Sequence, residues 1–269
     1  MKKIMLILVC LMILTLPNPA GEPDKEIVIV LGKSSYIPYQ EEYEKLLYPT
    51  VRITAGFATG SGVIFTTENT KDTKNTIYIL TACHVVDNQS VVNVELYDSR
   101  VITASVVITD TVKDLALLSI EYPASTGLNA LRPEFIPHSA GLYAACLAPR
   151  DYTPYLFCPV WAVGCSLGLD PRPSYGHITH IEKSNQCSSV SICGYEISAP
   201  ILPGNSGGPV FDARTYEVIG IAVWVHTYQG QLITTMGGVV PINQIYEFLE
   251  HNNITKAPMS LRSSGSKSQ

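Results

Sequence analysis

Short runs of β-branched and aromatic residues, broken by Gly, Asn, Asp and Pro, make up most of the chain from Val51 onward. This stretch shows little of the 3.6-residue periodicity of an amphipathic helix. Many short strands at such spacing predict an all-β chain built of barrels or a sandwich. The first series of strands is predicted at 51–57, 62–67, 77–81, 91–97, 102–108 and 115–120.

A proline-containing, weakly patterned stretch at 121–138 predicts a connection between two halves. The second series of strands is predicted at 142–148, 160–164, 177–181, 195–199, 210–212, 218–226 and 232–240. A helix is predicted at 243–250, after Pro241-Ile242. The sequence therefore predicts two halves of about six strands each, closed by a short helix.

The size and charge of the chain limit its classes of partner. The chain has 269 residues, 46% of them hydrophobic, and a formal net charge of -5. This length suffices for one large β domain or two small ones with a core. The slight acidity argues against a nucleic-acid or anionic-membrane surface.

The first twenty residues have the three-part pattern of a secretory signal. Two lysines precede an apolar run at 4–16, and Ala20 is a suitable residue before a cleavage site. The run is shorter than the roughly 20 residues that a membrane span needs. We expect an exported protein, secreted or periplasmic, without stable membrane association once the signal is cleaved. An uncleaved N-terminal anchor is the alternative.

Two further segments flank the predicted domain. Residues 21–47 form an N-terminal arm, with an extended run at 26–31 and a short helix within 38–47. The Ser/Lys-rich residues 251–269 are predicted to be a disordered tail.

Six cysteines follow the signal: Cys83, Cys146, Cys158, Cys165, Cys187 and Cys193. An even number permits disulfides in an exported chain, but six cysteines allow fifteen complete pairings. A Cys187–Cys193 pair closing a hairpin loop is the one preference, and Cys83 is interpreted as a buried thiol. None of the spacings is typical of a zinc site, so no metal is expected.

The segment from Pro203 to Val210 surrounds Ser206 with three glycines. Glycine is expected where the backbone has positive φ or approaches another group closely. Here the glycines would let two N–H groups converge beside the Ser206 hydroxyl, as an oxyanion hole requires. A glycine-rich turn with an idle serine is the alternative, and a suitable histidine and carboxylate elsewhere decide between the two.

Such partners are present in the first half. His84 follows an apolar strand, and Asp114 begins a buried one. A buried carboxylate needs hydrogen bonds, and an imidazole N–H suits it. Asp110 competes for this role but lies in a polar turn, so Asp114 is preferred. His177 and His180 are three residues apart in a predicted strand, which argues against a metal pair.

Four segments occur together in the order found in trypsin-like serine proteases: Gly60–Phe65, Thr81–Val86, Lys113–Leu118 and Pro203–Pro209. The chain most resembles the Deg/HtrA branch of these chymotrypsin-fold enzymes, which Val163–Leu169 and Gly238–Ile242 also resemble. The resemblance implies two six-stranded antiparallel β-barrels and a short C-terminal helix within 48–250. The first barrel would occupy about 48–125 and the second about 139–250.

The resemblance also implies a catalytic role for each motif residue. Ser206 would be the nucleophile, His84 the general base and acid, and Asp114 the residue that orients the imidazole. The N–H groups of Gly204 and Ser206 would form the oxyanion hole. The substrates would be proteins or peptides, with no cofactor or metal. The resemblance also allows a homo-oligomer, a trimer formed through the N-terminal segment.

Three departures or variable features qualify this resemblance. Asn205 replaces the aspartate that digestive trypsin-like enzymes use in zymogen activation, although the Deg/HtrA branch commonly has asparagine there too. Deg/HtrA proteins usually continue into a PDZ domain, whereas a short polar tail follows Glu250 here. In some members the oxyanion loop must also switch into its active conformation.

By resemblance, six residues wall the primary specificity pocket: Pro200, Leu202, Pro203, Val223, Trp224 and Val225. No aspartate lies where it would bind a basic side chain, and Val225 would make the pocket shallow. We therefore expect cleavage after small aliphatic residues, while core packing is an equal alternative for Trp224. The predicted function is an exported serine endopeptidase, and the alternative is a non-catalytic protease-fold binding module.

Overall fold

The computed structural model describes residues 39–66, 76–121, 143–182 and 194–254. The fold described below belongs to the compact unit from Glu41 to Gln269. The predicted signal, the run at 26–31, the connection from 122 to 138, the Cys187–Cys193 pair and the tail after Ile254 lie outside the described residues.

Six antiparallel strands form the first barrel. The strands of this sheet are β1 Thr50–Ala55, β2 Ala58–Thr66, β3 Thr76–Thr81, β4 Val91–Glu95, β5 Val101–Asp110, β6 Leu115–Glu121 and a further short strand, β7 Ala145–Cys146. The spatial order in the barrel is β1, β4, β5, β6, β3 and β2, and pairing of β1 with β2 closes it. Strand β7 runs parallel to β2.

The second barrel is also closed by six antiparallel strands. Their bounds are β8 Pro159–Gly164, β9 Arg172–Ile181, β10 Tyr195–Ile197, β11 Pro209–Asp212, β12 Val218–Tyr228 and β13 Gln231–Pro241. Their spatial order is β10, β13, β12, β11, β8 and β9. The two barrels confirm the predicted chymotrypsin-like fold.

Side-chain alternation explains how the strands build the barrels. In β4, Val92 and Val94 are buried whereas Val91 and Asn93 are exposed, as a strand with one face towards a core requires. In β6, the four residues Leu115–Leu118 are all buried, so both faces of this strand are covered. Asp114 thus directly precedes a strand that is covered on both faces.

Little of the described chain is helical. Helix α1 spans Gln40–Glu42 and continues into a π-helical turn at Tyr43–Leu47, and α2 is a single turn at Cys83–Val86. Helix α3, Ile242–His251, packs on β12 and β13 through five buried side chains. It includes His251, the first residue of the predicted tail. These buried side chains are Ile242, Ile245, Tyr246, Phe248 and Leu249.

The structure corrects some predicted strand bounds. Strand β9 begins at Arg172 rather than at 177, because pairing with β8 extends from His177 to Arg172 despite the intervening Pro173. Strand β7 has only two residues instead of the seven predicted at 142–148. Pairing with a neighbouring strand decides these bounds, and the β-propensity of a segment alone does not predict that pairing.

In the described residues no helix combines the length and the apolar character needed to cross a membrane. The four described cysteines, Cys83, Cys146, Cys158 and Cys165, are unpaired. Cys83 is partly exposed rather than buried, because helix α2 lies at the rim of the first barrel, beyond the end of β3.

Candidate active site

His84 lies at the rim of the first barrel, on the helical turn α2. Val85 and Val86 are buried and anchor this turn to the barrel. The His84 side chain remains 47% exposed. The Cys83 N–H donates to the carbonyl oxygen of Asp114 at 3.1 Å. Backbone hydrogen bonding therefore ties the histidine turn to the turn that precedes β6.

The carboxylate of Asp114 contacts His84 twice. Its Oδ2 lies 2.7 Å from His84 Nδ1, and its Oδ1 accepts the His84 backbone N–H at 2.9 Å. The Asp114 side chain is 20% exposed, and its backbone has a φ of 52°. Two contacts to one residue fix the imidazole relative to its own backbone. A carboxylate at Nδ1 favours the tautomer with the proton on that nitrogen, leaving Nε2 as an acceptor.

Asp110, the competing carboxylate, has a different position. Its Oδ1 accepts the backbone N–H groups of Val112 and Lys113, each at 2.9 Å. The carboxylate thereby shapes the turn that carries Asp114. The structure brings Asp114, and not Asp110, to the imidazole ring.

The Ser206 loop belongs to the second barrel but lies against strand ends of the first. The carbonyl oxygen of Ser206 accepts the Ser61 N–H at 2.8 Å. Gly207 has a φ of +82°, and a Cβ there would lie 2.3 Å from both the Ser61 carbonyl oxygen and Thr81 Oγ1. A side chain cannot be accommodated at Gly207. This close approach brings the loop to the end of β3, just before the turn of His84.

The orientation of two peptide groups in this loop follows from their carbonyl partners. The Pro203 carbonyl accepts the Leu167 N–H at 2.7 Å, and the Asn205 carbonyl accepts the Gly208 N–H at 2.9 Å. Carbonyl and N–H point in opposite directions across a trans peptide. The N–H groups of Gly204 and Ser206 therefore point away from these partners, and neither has an acceptor among the described hydrogen bonds.

His84 and Ser206 are brought to the same junction between the barrels. Among the described residues, however, there is no hydrogen bond between their side chains. Catalytic hydrogen bonds are often long in a substrate-free enzyme and shorten when substrate binds. The structure thus places the histidine and aspartate in contact and the serine loop beside them.

Two buried polar residues at this junction, Ser61 and Asn205, make contacts that were not predicted from the sequence. The Ser61 hydroxyl donates to the Gly204 carbonyl at 2.6 Å and accepts the Cys165 N–H at 2.7 Å. Asn205, 3% exposed, accepts the Ser166 hydroxyl at 2.5 Å through Oδ1. Ser61 lies in the matching segment Gly60–Phe65, and Ser166 lies in the further segment Val163–Leu169. Membership in these motifs was the one sequence signal that could have indicated their importance.

The residues assigned to the specificity pocket differ in exposure. Pro200, Leu202 and Pro203 are exposed, Val223 is buried, and Trp224 and Val225 are intermediate. Trp224 pairs with Gly238 in the sheet, and a Cβ on Gly238 would lie 1.6 Å from the indole ring. The indole therefore packs flat on β13.

A second contact lies on the neighbouring glycine. Gly237 pairs with Val225, and a Cβ there would lie 2.4 Å from the side chain of the buried Ile201. Ile201, between Pro200 and Leu202, thus presents its apolar side chain to strands β12 and β13.

The cysteines near the site are poor nucleophiles. Burial raises the pKa of the Cys83 thiol, and the negative charges of Asp114 and Asp110 raise it further. Burial raises the pKa of Cys165 to about 12. Both side chains thus remain thiols at neutral pH, although Cys83 is adjacent to His84, and the thiolate is the reactive form.

The other histidines in the described part of the chain are not grouped as metal ligands. His177 and His180 are both exposed, and the pairing of β9 with β10 shifts register between them. His226 Nε2 lies 2.7 Å from a carboxylate oxygen of Glu196. No group of three or more metal-binding side chains suited to a metal ion occurs among the residues that the structure describes.

A family model described as "Trypsin-like peptidase domain" matches residues 60–221. Curated relatives include HhoA of Synechocystis, 34% identical over 175 residues that make up 63% of this chain and 39% of the relative. Serine protease Do-like HtrA of Bacillus subtilis is 31% identical over 168 residues, 60% of this chain and 32% of the relative. The chain thus spans less than half the length of these relatives.

Solved structures support the same fold. The structure described as "HtrA-type protease AlgW with tripeptide" gives a TM-score of 0.62 at 22% identity, covering 81% of this chain and 64% of that one. The serine endoprotease from Yersinia pestis gives 0.58 at 21% identity, covering 81% of this chain and 67% of that one.

Proposed function

The chain belongs to the trypsin-like peptidase family, and on that basis we propose that it is a serine endopeptidase acting through Ser206, His84 and Asp114. The observation that carries the proposal is the double contact of Asp114 with His84, to the ring and to the backbone. An orienting carboxylate on Nδ1 is what a histidine base needs in order to accept a serine proton through Nε2.

The proposed reaction proceeds in two halves. Ser206 Oγ attacks the scissile carbonyl carbon while His84 Nε2 takes the hydroxyl proton, giving a tetrahedral intermediate. His84 then returns this proton to the leaving amine, and an acyl-enzyme remains. Water, deprotonated by His84, attacks the ester, and the acid product leaves with Ser206 restored.

Gly204 and Ser206 would stabilise the oxyanion formed in each half. Their N–H groups have no acceptor in the described hydrogen bonds, and both point away from the protein groups that hold the neighbouring carbonyls. Preorganised donors of this kind lower the barrier because they need no reorientation as charge develops. Loss of one such donor typically costs about 10²-fold or more in turnover.

The active-site proposal is tested by covalent labelling and proteolysis. A fluorophosphonate probe should label the mature protein at Ser206, and the protein should cleave casein, whereas a Ser206→Ala variant should do neither. The alternative function is a protease-fold binding module. Folded protein that neither reacts with the probe nor cleaves casein would support that alternative instead.

We extend the proposal to cleavage after small aliphatic residues. The support is the apolar character of Val223, Val225 and Ile201, together with the packing of Trp224 on Gly238. Sequencing the products of a peptide-library digest should show mainly Ala, Val or similar residues before the cut. A preference for Arg or Lys would contradict it.

Export is the second extension, and it rests on the pattern of the first twenty residues. One curated relative, from Marinomonas, is described as periplasmic. N-terminal sequencing of the protein recovered from its cell envelope or medium should give a chain that begins near Gly21. Recovery in the cytosol with Met1 intact would contradict export.

A further inference from the structure

We propose that Ser61 is a positioning residue for the oxyanion hole, acting from the first barrel on a loop of the second. This inference rests on the function proposed above. Ser61 lies on β2, and its relative exposure is 0%. Its hydroxyl binds the carbonyl of Gly204, a residue 143 positions further along the chain.

The Ser61 hydroxyl uses its proton and a lone pair in two defined directions. It donates to the Gly204 carbonyl oxygen at 2.6 Å and accepts the Cys165 N–H at 2.7 Å. The Cys165 N–H can only donate, so it occupies a lone pair of the hydroxyl oxygen. The single hydroxyl proton is then donated to the Gly204 carbonyl. The hydroxyl therefore holds the carbonyl of one loop and the amide of another at fixed positions.

The effect on Gly204 follows from its two flanking peptides. The peptide before it is held by the bond from Leu167 N–H to the Pro203 carbonyl, and the peptide after it is held by Ser61. Together these bonds set the backbone of Gly204, whose φ is +97°. Glycine can rotate readily between conformations, so this residue needs external bonds to keep its N–H in one direction.

The backbone of Ser61 contacts the residue that carries the second proposed oxyanion donor. Its N–H donates to the Ser206 carbonyl at 2.8 Å, and its own carbonyl accepts the Thr81 hydroxyl at 2.7 Å. One residue thus contacts the carbonyls of both Gly204 and Ser206. The side-chain contact alone can be removed by substitution without changing the backbone contact.

The test compares Ser61→Ala with a matched control, Thr50→Val. Thr50 is also fully buried on the first barrel, and its hydroxyl donates to the Leu46 carbonyl at 2.7 Å, away from the Ser206 loop. Both variants lose one buried hydroxyl. The measurements are kcat and KM on a peptide substrate, affinity for a peptidyl boronic acid that forms a tetrahedral adduct, and the unfolding midpoint.

For Ser61→Ala we expect kcat to fall at least about tenfold with KM within about twofold of wild type, because oxyanion stabilisation acts on the transition state. Boronate affinity should fall in parallel. Thr50→Val should lose thermal stability with kcat within about twofold of wild type. Equal kcat values for the two variants would overturn the inference and leave the proposed function standing.

A wild-type protein that is inert toward the fluorophosphonate probe and the peptide would overturn both proposals. If Ser61→Ala does not fold, Ser61→Cys takes its place, since a thiol fills the space but donates weakly. A kcat for Ser61→Cys equal to that of wild type would likewise overturn the positioning role.

Discussion

The side chain of Asn205 accepts a hydrogen bond from the Ser166 hydroxyl, with 2.5 Å between Oδ1 and Oγ. Asn205 precedes the candidate nucleophile and is 3% exposed. Both partners of this bond are neutral, an amide oxygen and a hydroxyl. The loop is therefore held by a neutral bond rather than by the ion pair that an aspartate would require.

Asn205→Asp should consequently destabilise the protein. A carboxylate at this buried position would lose its hydration and would gain one hydroxyl donor, Ser166, so we expect the free energy of unfolding to fall by about 3 kcal/mol at neutral pH. Chemical denaturation measures the change. Asn93→Asp is the control, because Asn93 is exposed on β4 and should tolerate a charge. Equal effects of the two substitutions would contradict the prediction.

Asp114→Asn should abolish most activity without unfolding the chain. The amide can still accept the His84 backbone N–H, but its NH₂ would face Nδ1 and force the ring proton onto Nε2. We expect kcat to fall by about 10⁴-fold, as loss of the productive tautomer does in a triad. Asp110→Asn, which retains the turn acceptor Oδ1, should stay within about threefold of wild type. Similar losses in both variants would refute the assignment.

Gly204→Ala should lower kcat/KM by at least about 10²-fold. Its φ is +97°, and a Cβ would lie 2.4 Å from the Cys165 carbonyl oxygen, so the peptide must move. Gly56→Ala is a matched control: Gly56 has a φ of +61°, but nothing lies within 4 Å of a Cβ there. It should cost about 1 kcal/mol of stability with activity retained. Full activity in Gly204→Ala would remove Gly204 from the proposed oxyanion hole.

Acid should weaken the fold partly through Asp212. Burial of this carboxyl raises its pKa, but hydrogen bonds from the Arg214 side chain and backbone, and from the Tyr152 hydroxyl, outweigh burial and lower the pKa below its usual range. A lowered folded-state pKa stabilises the protein above the unfolded-state pKa, which is about 3.9. This stability is lost as the pH falls through the folded-state value.

Asp212→Asn should therefore be less stable than wild type at pH 7, with a difference that shrinks below about pH 4. Denaturation curves across this range measure it. Asp151→Asn, at an exposed position, should show little difference at any pH. A constant gap between Asp212→Asn and wild type down to pH 2 would contradict the linkage.

The sequence predicted the fold well where local pattern determines structure. Alternating valines such as those of β4 specify strand and face together. The two barrels were predicted through the family resemblance that four ordered motifs carry. The Ser61 bond was out of reach, because a serine between two glycines gives no indication of a partner 143 residues away. Strand pairing likewise extended β9 through Pro173, which local propensity disfavours.

The candidate site also combines residue types that could be read from the sequence with contacts that could not. His84, Asp114 and Ser206 could be proposed from the sequence because the proposed chemistry requires these residue types. The carbonyl partners that orient Gly204 were not, because they depend on how the Cys165–Gly168 turn packs against the loop.

The contact between Ser61 and the Ser206 loop also has a consequence for the order of folding. Synthesis delivers the residues of the first barrel before those of the second, and neither barrel alone contains both ends of this contact. The conformation in which Ser61 holds the Ser206 loop can therefore form only once both barrels are present.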